Sequence, residues 1–190
     1  SIEVLIGTIF NELYNKNEIN VETIAKIGQY AENNYFGKPC GLMDQMACAV
    51  GGIIAIDFKN TSSPVVRKIN FDPDSQEYTM LVVNTGSSHE NLTDDYAAIP
   101  VEMKSIASVF EKNTCRDLNM DDLISNINDL RKKTGDRALL RAFHFINENE
   151  RVLAQIDSLE AGDFKKFLTF VKESGNSSFK WLQNIYSPKN

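Results

Sequence analysis

The chain has 190 residues, 42% of them hydrophobic and 24% charged, a balance ordinary for a folded protein of one large or two small domains. Its net charge of −6 and pI near 5.0 speak against a nucleic-acid or anionic-membrane surface, which would need clustered Lys and Arg. No apolar run reaches the length of a membrane span. Cys40, Cys48 and Cys115 are scattered and fit neither a disulfide framework nor a paired-cysteine metal site. Three buried free thiols in a reducing compartment, the cytoplasm, are the expectation.

In chain order, Ile2, Leu5, Ile6, Ile9, Phe10 and Leu13 fall on one helical face, with Ser1 as the N-cap. A second helix follows the Asn20 cap, with Val21, Ile24, Ala25 and Gly28 at helical spacing and Glu32 near its end. Gly37-Lys38-Pro39 breaks it, because proline disfavours helix for its predecessor and has no N–H to donate. A third helix is expected to start at Gly41, which puts Asp44 in its first turn, where the helix dipole favours an ionised carboxylate. An ionised Asp on a rigid element beside a glycine-lined gap is placed to accept a proton from a bound hydroxyl. Glu32, twelve residues upstream, is positioned to face the same gap.

Gly51-Gly52 ends the third helix. Ile53 to Phe58 reads as a buried strand and Val65 to Phe71 as its antiparallel neighbour. Asp72-Pro73-Asp74-Ser75 is the best boundary signal in the chain. Tyr78 to Asn84 reads as a core strand. Thr93, Asp94 and Asp95 open a helix whose face carries Tyr96, Ile99, Met103, Ile106 and Phe110, with Pro100 either kinking it or delaying its start. Leu123, Ile127 and Leu130 mark one further helix. Leu139, Ala142, Phe143, Ile146, Leu153 and Ile156 mark a longer one ending near Gly162. Phe164, Phe167, Leu168 and Val171 mark another, after the Asp163 cap. Phe179, Leu182 and Ile185 mark a short last helix.

One stretch is more specific than the rest. Ala31-Glu32, Phe36-Gly37, the run Pro39-Cys40-Gly41-Leu42-Met43-Asp44-Gln45, and Gly52 to Asp57 together resemble the central motif of galactokinases, members of the GHMP small-molecule kinases. Val82-Val83-Asn84-Thr85 with His89, then Tyr96 seven residues on, and Arg141-Ala142-Phe143-His144 are similar to later segments of that family. The resemblance implies an α+β fold: residues 1–74 as the later part of a mixed α/β N-terminal domain, and residues 75–190 as the first part of a helix-rich α+β C-terminal domain, both incomplete. It further implies that the chain is an internal fragment, inactive by itself and holding no nucleotide-binding residues. The glycine- and serine-rich phosphate loop would lie before Ser1 and a glycine-rich motif after Asn190.

For the intact protein the resemblance implies transfer of the γ-phosphoryl of ATP to the anomeric hydroxyl of galactose. Asp44 would be the catalytic base and a sugar contact, Gly41 and Tyr96 further sugar contacts, and Glu32 a ligand to the Mg2+ of MgATP. The partners would be galactose and MgATP, with no nucleic acid and no membrane. The family shows basic residues shortly after the matching Tyr, where Ala97-Ala98-Ile99-Pro100 stands here. Two alternatives therefore stay open: a GHMP kinase for another sugar, and a kinase-like sugar sensor without catalysis.

Overall fold

The computed structural model describes residues 1–37, 40–84, 86 and 93–186, apart from the side chains of Asp74 and Thr93. The chain divides into two compact units, Ser1–Phe71 and Asp72–Asn190.

The first unit packs three helices against a two-stranded ribbon. Helix α1 spans Ile2–Asn15, α2 Val21–Asn34 and α3 Met43–Val50. Asn20 caps α2 through its side chain, which accepts from the Thr23 N–H at 2.8 Å. Ser1 sits at the N-cap position of α1 but makes no capping bond; its hydroxyl donates to Glu3 Oε2 at 2.6 Å. Leu42 rather than Gly41 precedes α3, so this helix starts two residues later than expected, still with Asp44 in the first turn. Gly51 closes α3 with φ +68°, a conformation that disfavours any side chain. Strands β1 (Ile53–Asp57) and β2 (Val65–Ile69) pair antiparallel, with Ile53 opposite Ile69 and Asp57 opposite Val65. Most of β1 is half-buried, not buried, because the ribbon packs on α3 from one face.

The core of this unit is Ala25, Leu42 and Met46, with Val50, Ile54, Ile56, Phe58 and Val66 packed around them. The expected apolar face of α1 does not join it. Ile2, Leu5, Ile6, Ile9, Phe10 and Leu13 are exposed, and the buried positions of α1 are Val4 and Asn11. Asn11 closes the α1–α2 loop from both ends: Nδ2 donates to Ile19 O at 2.8 Å, and Ile19 N–H donates to Oδ1 at 3.2 Å. Contact on this side is set by small residues. A Cβ added at Gly7 would lie 2.9 Å from Ile24 Cγ2. Alanine is the better helix former by about 1 kcal/mol, yet overpacking costs about 1–3 kcal/mol. Gly7→Ala is therefore expected to lose about 1 kcal/mol of stability in urea unfolding. A gain would mean that α1 and α2 are free to separate.

The second unit is helical: α4 (Thr93–Val109), α5 (Met120–Ser125), α6 (Ile127–Thr134), α7 (Asp136–Glu160) and α8 (Phe164–Ser177), then one π-helical turn at Ser178–Leu182. Its core is built from Ile106, Ala107, Leu123, Leu130, Ala138, Leu139, Ala142, Phe143 and Ile146 around α7. Buried Cys115 lies among them, its thiol pushed up to about 11 by desolvation. Asp163 caps α8, accepting from Lys166 N–H at 3.0 Å, and Gly162 turns the chain before it with φ +71°.

Several expectations fail here for tertiary reasons. Tyr78 to Asn84 forms no strand among the described residues; it is exposed, Val82 at 95%. Hydrophobic alternation makes a strand only where a partner edge exists. The expected helix through Leu123, Ile127 and Leu130 is two helices, broken at Asn126, and Ile127 faces solvent. Pro100 lies inside α4, so it does not delay the start; having no N–H, it donates no helical bond there. Ile185 lies beyond the last helical turn. No described helix is long and apolar enough to cross a membrane.

Candidate active site

The start of α1, the later half of α2 and the start of α3 meet at one junction. Gly28 makes the approach possible: a Cβ there would lie 3.3 Å from Glu3 Cβ and 3.6 Å from Gln45 Cγ. Leu42 and Met46, both buried, press α3 onto Ala25 of α2. Two apolar anchors one helical turn apart fix the rotation of this short helix, and so fix where Asp44 and Gln45 stand.

The segment entering α3 is held by polar side chains of α2. Cys40 N–H donates to Asn33 Oδ1 at 2.7 Å, and Cys40 O accepts from Gln29 Nε2 at 3.2 Å and Asn33 Nδ2 at 3.4 Å. Glu32, between these two on the same helix face, accepts from Gln45 Nε2 at 3.2 Å through Oε1. Gln45 also reaches Cys40 Sγ at 3.5 Å. Gln45 is 2% exposed, and its Oε1 is buried with no partner among the described residues. Such an orphan acceptor costs about 1–3 kcal/mol.

Asp44 is exposed on the first turn of α3. The Ser1 backbone nitrogen lies 3.0 Å from Cys48 Sγ. The junction thus gathers Ser1, Glu3, Glu32, Asp44, Gln45 and Cys48. Gly41 is exposed, with open space where a side chain would be. Tyr96 lies in the second unit, on α4, and is exposed rather than part of the core face expected for it. His89 lies outside the described residues. Cys48 is exposed and Cys40 half-buried, which corrects the expectation of three buried thiols; all three are free.

Sequence reasoning missed Gln29, Asn33 and Gln45. Their signal was present: Gln29, Glu32 and Asn33 recur at i, i+3 and i+4, a polar stripe on an otherwise packed helix.

A second polar cluster lies wholly in the other unit. His144 Nδ1 pairs with Ser177 Oγ at 2.9 Å, and burial lowers the pKa of the imidazole. Beside Ser177 is an open cavity of about 330 Å³ lined by Arg151, Glu173, Lys180 and Trp181. Arg151 there is tied to Glu148 and lies 3.8 Å from Glu173, so its charge is spent within the protein.

Residues 1–52 match the family described as GHMP kinases N terminal domain. The particular likeness is to galactokinases. The chain is 31% identical over 180 residues to the galactokinase of Glaesserella parasuis serovar 5 (strain SH0165), across 93% of this chain and 45% of that protein. It is 30% identical over 166 residues to the galactokinase of Streptomyces coelicolor, across 86% of this chain and 41% of the relative. Its fold superimposes on Lactococcus lactis galactokinase complexed with galactose with a TM-score of 0.68 and 23% identity, over 96% of this chain and 47% of that one. The α+β, helix-rich fold is therefore the galactokinase fold, and the chain spans about half the length of the curated relatives it matches.

Proposed function

We propose that this chain supplies the base-and-metal half of a galactokinase active site, in a protein that phosphorylates galactose at its anomeric hydroxyl using MgATP. The observation that carries the reading is the junction itself. Glu32 and Asp44, on two different helices, are tied together through Gln45 in the segment that matches galactokinases.

Asp44 takes the role of base. Its exposed carboxylate on a rigid helix start orients the sugar hydroxyl and receives its proton as the oxygen attacks phosphorus. A carboxylate suffices as the acceptor because the hydroxyl acidifies as the new bond forms. Gly41, open and without a side chain, lets the sugar approach the backbone. Tyr96 is the proposed sugar contact from the second unit. Glu32 suits magnesium: it offers a hard oxygen, Oε1 is engaged by Gln45, and Oε2 accepts no hydrogen bond among the described residues. When bound, the ion neutralises charge on the transferring phosphoryl group.

In this reading residues 1–74 are the later part of the N-terminal domain and residues 75–190 the first part of the C-terminal one. The three free thiols suit the cytoplasm. Ala97-Ala98-Ile99-Pro100, where the family carries basic residues, supports a second reading with a different sugar.

An ADP-release assay on the intact protein, with ATP, Mg2+ and a panel of galactose, N-acetylgalactosamine and glucose, tests both. Galactose is expected to give at least tenfold the kcat/KM of the others, a discrimination of about 1.4 kcal/mol. Preference for another sugar replaces the substrate. Sugar binding with no ADP release from any of them points to a sensor instead.

A further inference from the structure

Gln45 is the least explained polar side chain in the first unit. It is 2% exposed, yet its Oε1 is buried and accepts nothing among the described residues. The orientation of the amide is dictated by its neighbour. A carboxylate only accepts, so the NH2 group must turn to Glu32 Oε1, 3.2 Å away, and the carbonyl oxygen must turn elsewhere. Among the described residues no donor meets it there. An apolar side chain of the same length would fill this space without that penalty. Stability alone therefore does not account for an amide here.

We propose that Gln45 is a positioning residue for Glu32. Its amide fixes the carboxylate through Oε1 and so reserves Oε2 as the oxygen offered to a divalent cation. The rigid support is already described: Leu42 and Met46 lock α3, and Gly28 admits the Gln45 stem between α1 and α2. Second-layer hydrogen bonds of this kind orient a ligand and set metal affinity. The inference rests on the reading of Glu32 as the metal ligand.

The test uses Mn2+ alone as the probe, following paramagnetic broadening of backbone amide signals in the 190-residue chain, beside thermal unfolding. In the unmodified chain, broadening is expected to centre on the end of α2 and the start of α3. Glu32→Gln is expected to abolish it. Gln45→Met keeps the length and removes both the amide donors and the orphan oxygen. It is expected to raise the Mn2+ concentration for half-maximal broadening about 10–100-fold while leaving the unfolding temperature equal or higher. No localised broadening in the unmodified chain overturns the Glu32 reading and this proposal with it. Broadening abolished by Glu32→Gln but unchanged in Gln45→Met overturns the proposal and leaves the Glu32 reading standing. A Gln45→Met chain that is destabilised or unfolded shows that the amide is held for structure, and overturns the proposal as well.

Discussion

In the intact protein, replacing Asp44 with Asn is expected to lower kcat for the proposed sugar phosphorylation by about 10²–10⁴-fold, the range over which a positioned base contributes. The substitution keeps the size of the side chain and its capacity to accept a hydrogen bond, but removes the proton acceptor. Because Asp44 is exposed on the first turn of α3, the fold should barely notice. The lost helix-end carboxylate is worth about 0.3–1 kcal/mol. Turnover by ADP release and unfolding by urea, measured on the same preparation, separate the two effects. Near-normal turnover would remove Asp44 from the base role. A collapse of stability would make it a structural residue instead.

The second large effect lies in the other unit and concerns folding. Arg141 is buried on α7, and desolvation pulls its guanidinium down from the usual arginine range. It is held on two sides: Nη1 donates to Glu102 Oε2 of α4 at 3.0 Å, and Nε donates to Leu182 O of the π-helical turn at 3.0 Å. One side chain thus ties three elements together. Arg141→Ala is expected to cost about 3–5 kcal/mol, the cost of breaking a buried ion pair and stranding its partners. Arg137 binds the same Glu102 from a more exposed position, with Nε donating at 3.0 Å. Arg137→Ala is expected to cost no more than about 1 kcal/mol, as exposed pairs do. Comparable losses for the two in urea unfolding would show that burial does not set the strength of this network.

What the sequence made legible was chemistry that acts within a few residues. Asn20 and Asp163 cap the helices they were expected to cap, and Gly51 and Gly162 end helices in the positive-φ conformation expected of glycine. The Pro39 to Gln45 run carried the resemblance to galactokinases, a likeness that the relatives and the fold share. What escaped was decided by distant partners. Tyr78 to Asn84 has the composition of a strand but no edge to pair with among the described residues. The Ile and Leu stripe of α1 has the spacing of a core face, yet α2 packs against Val4, Gly7 and Asn11 instead. Gln29, Asn33 and Gln45 gave no sign singly, since an amide with a structural role is recognised only by what surrounds it. Cys48 looked like any apolar helix residue until the rotation of α3 turned it outward.

The close approach at Gly28 has one more consequence. Glu3, Gly28 and Gln45 belong to three different helices, yet the space for a single methyl group is shared among them. Substitutions at these positions are therefore not independent, and their energies should depart from simple addition, as they do for residues in contact. Anyone redesigning this corner to harden the protein against heat must vary the three as one set. A scan that alters them singly would condemn combinations that work together.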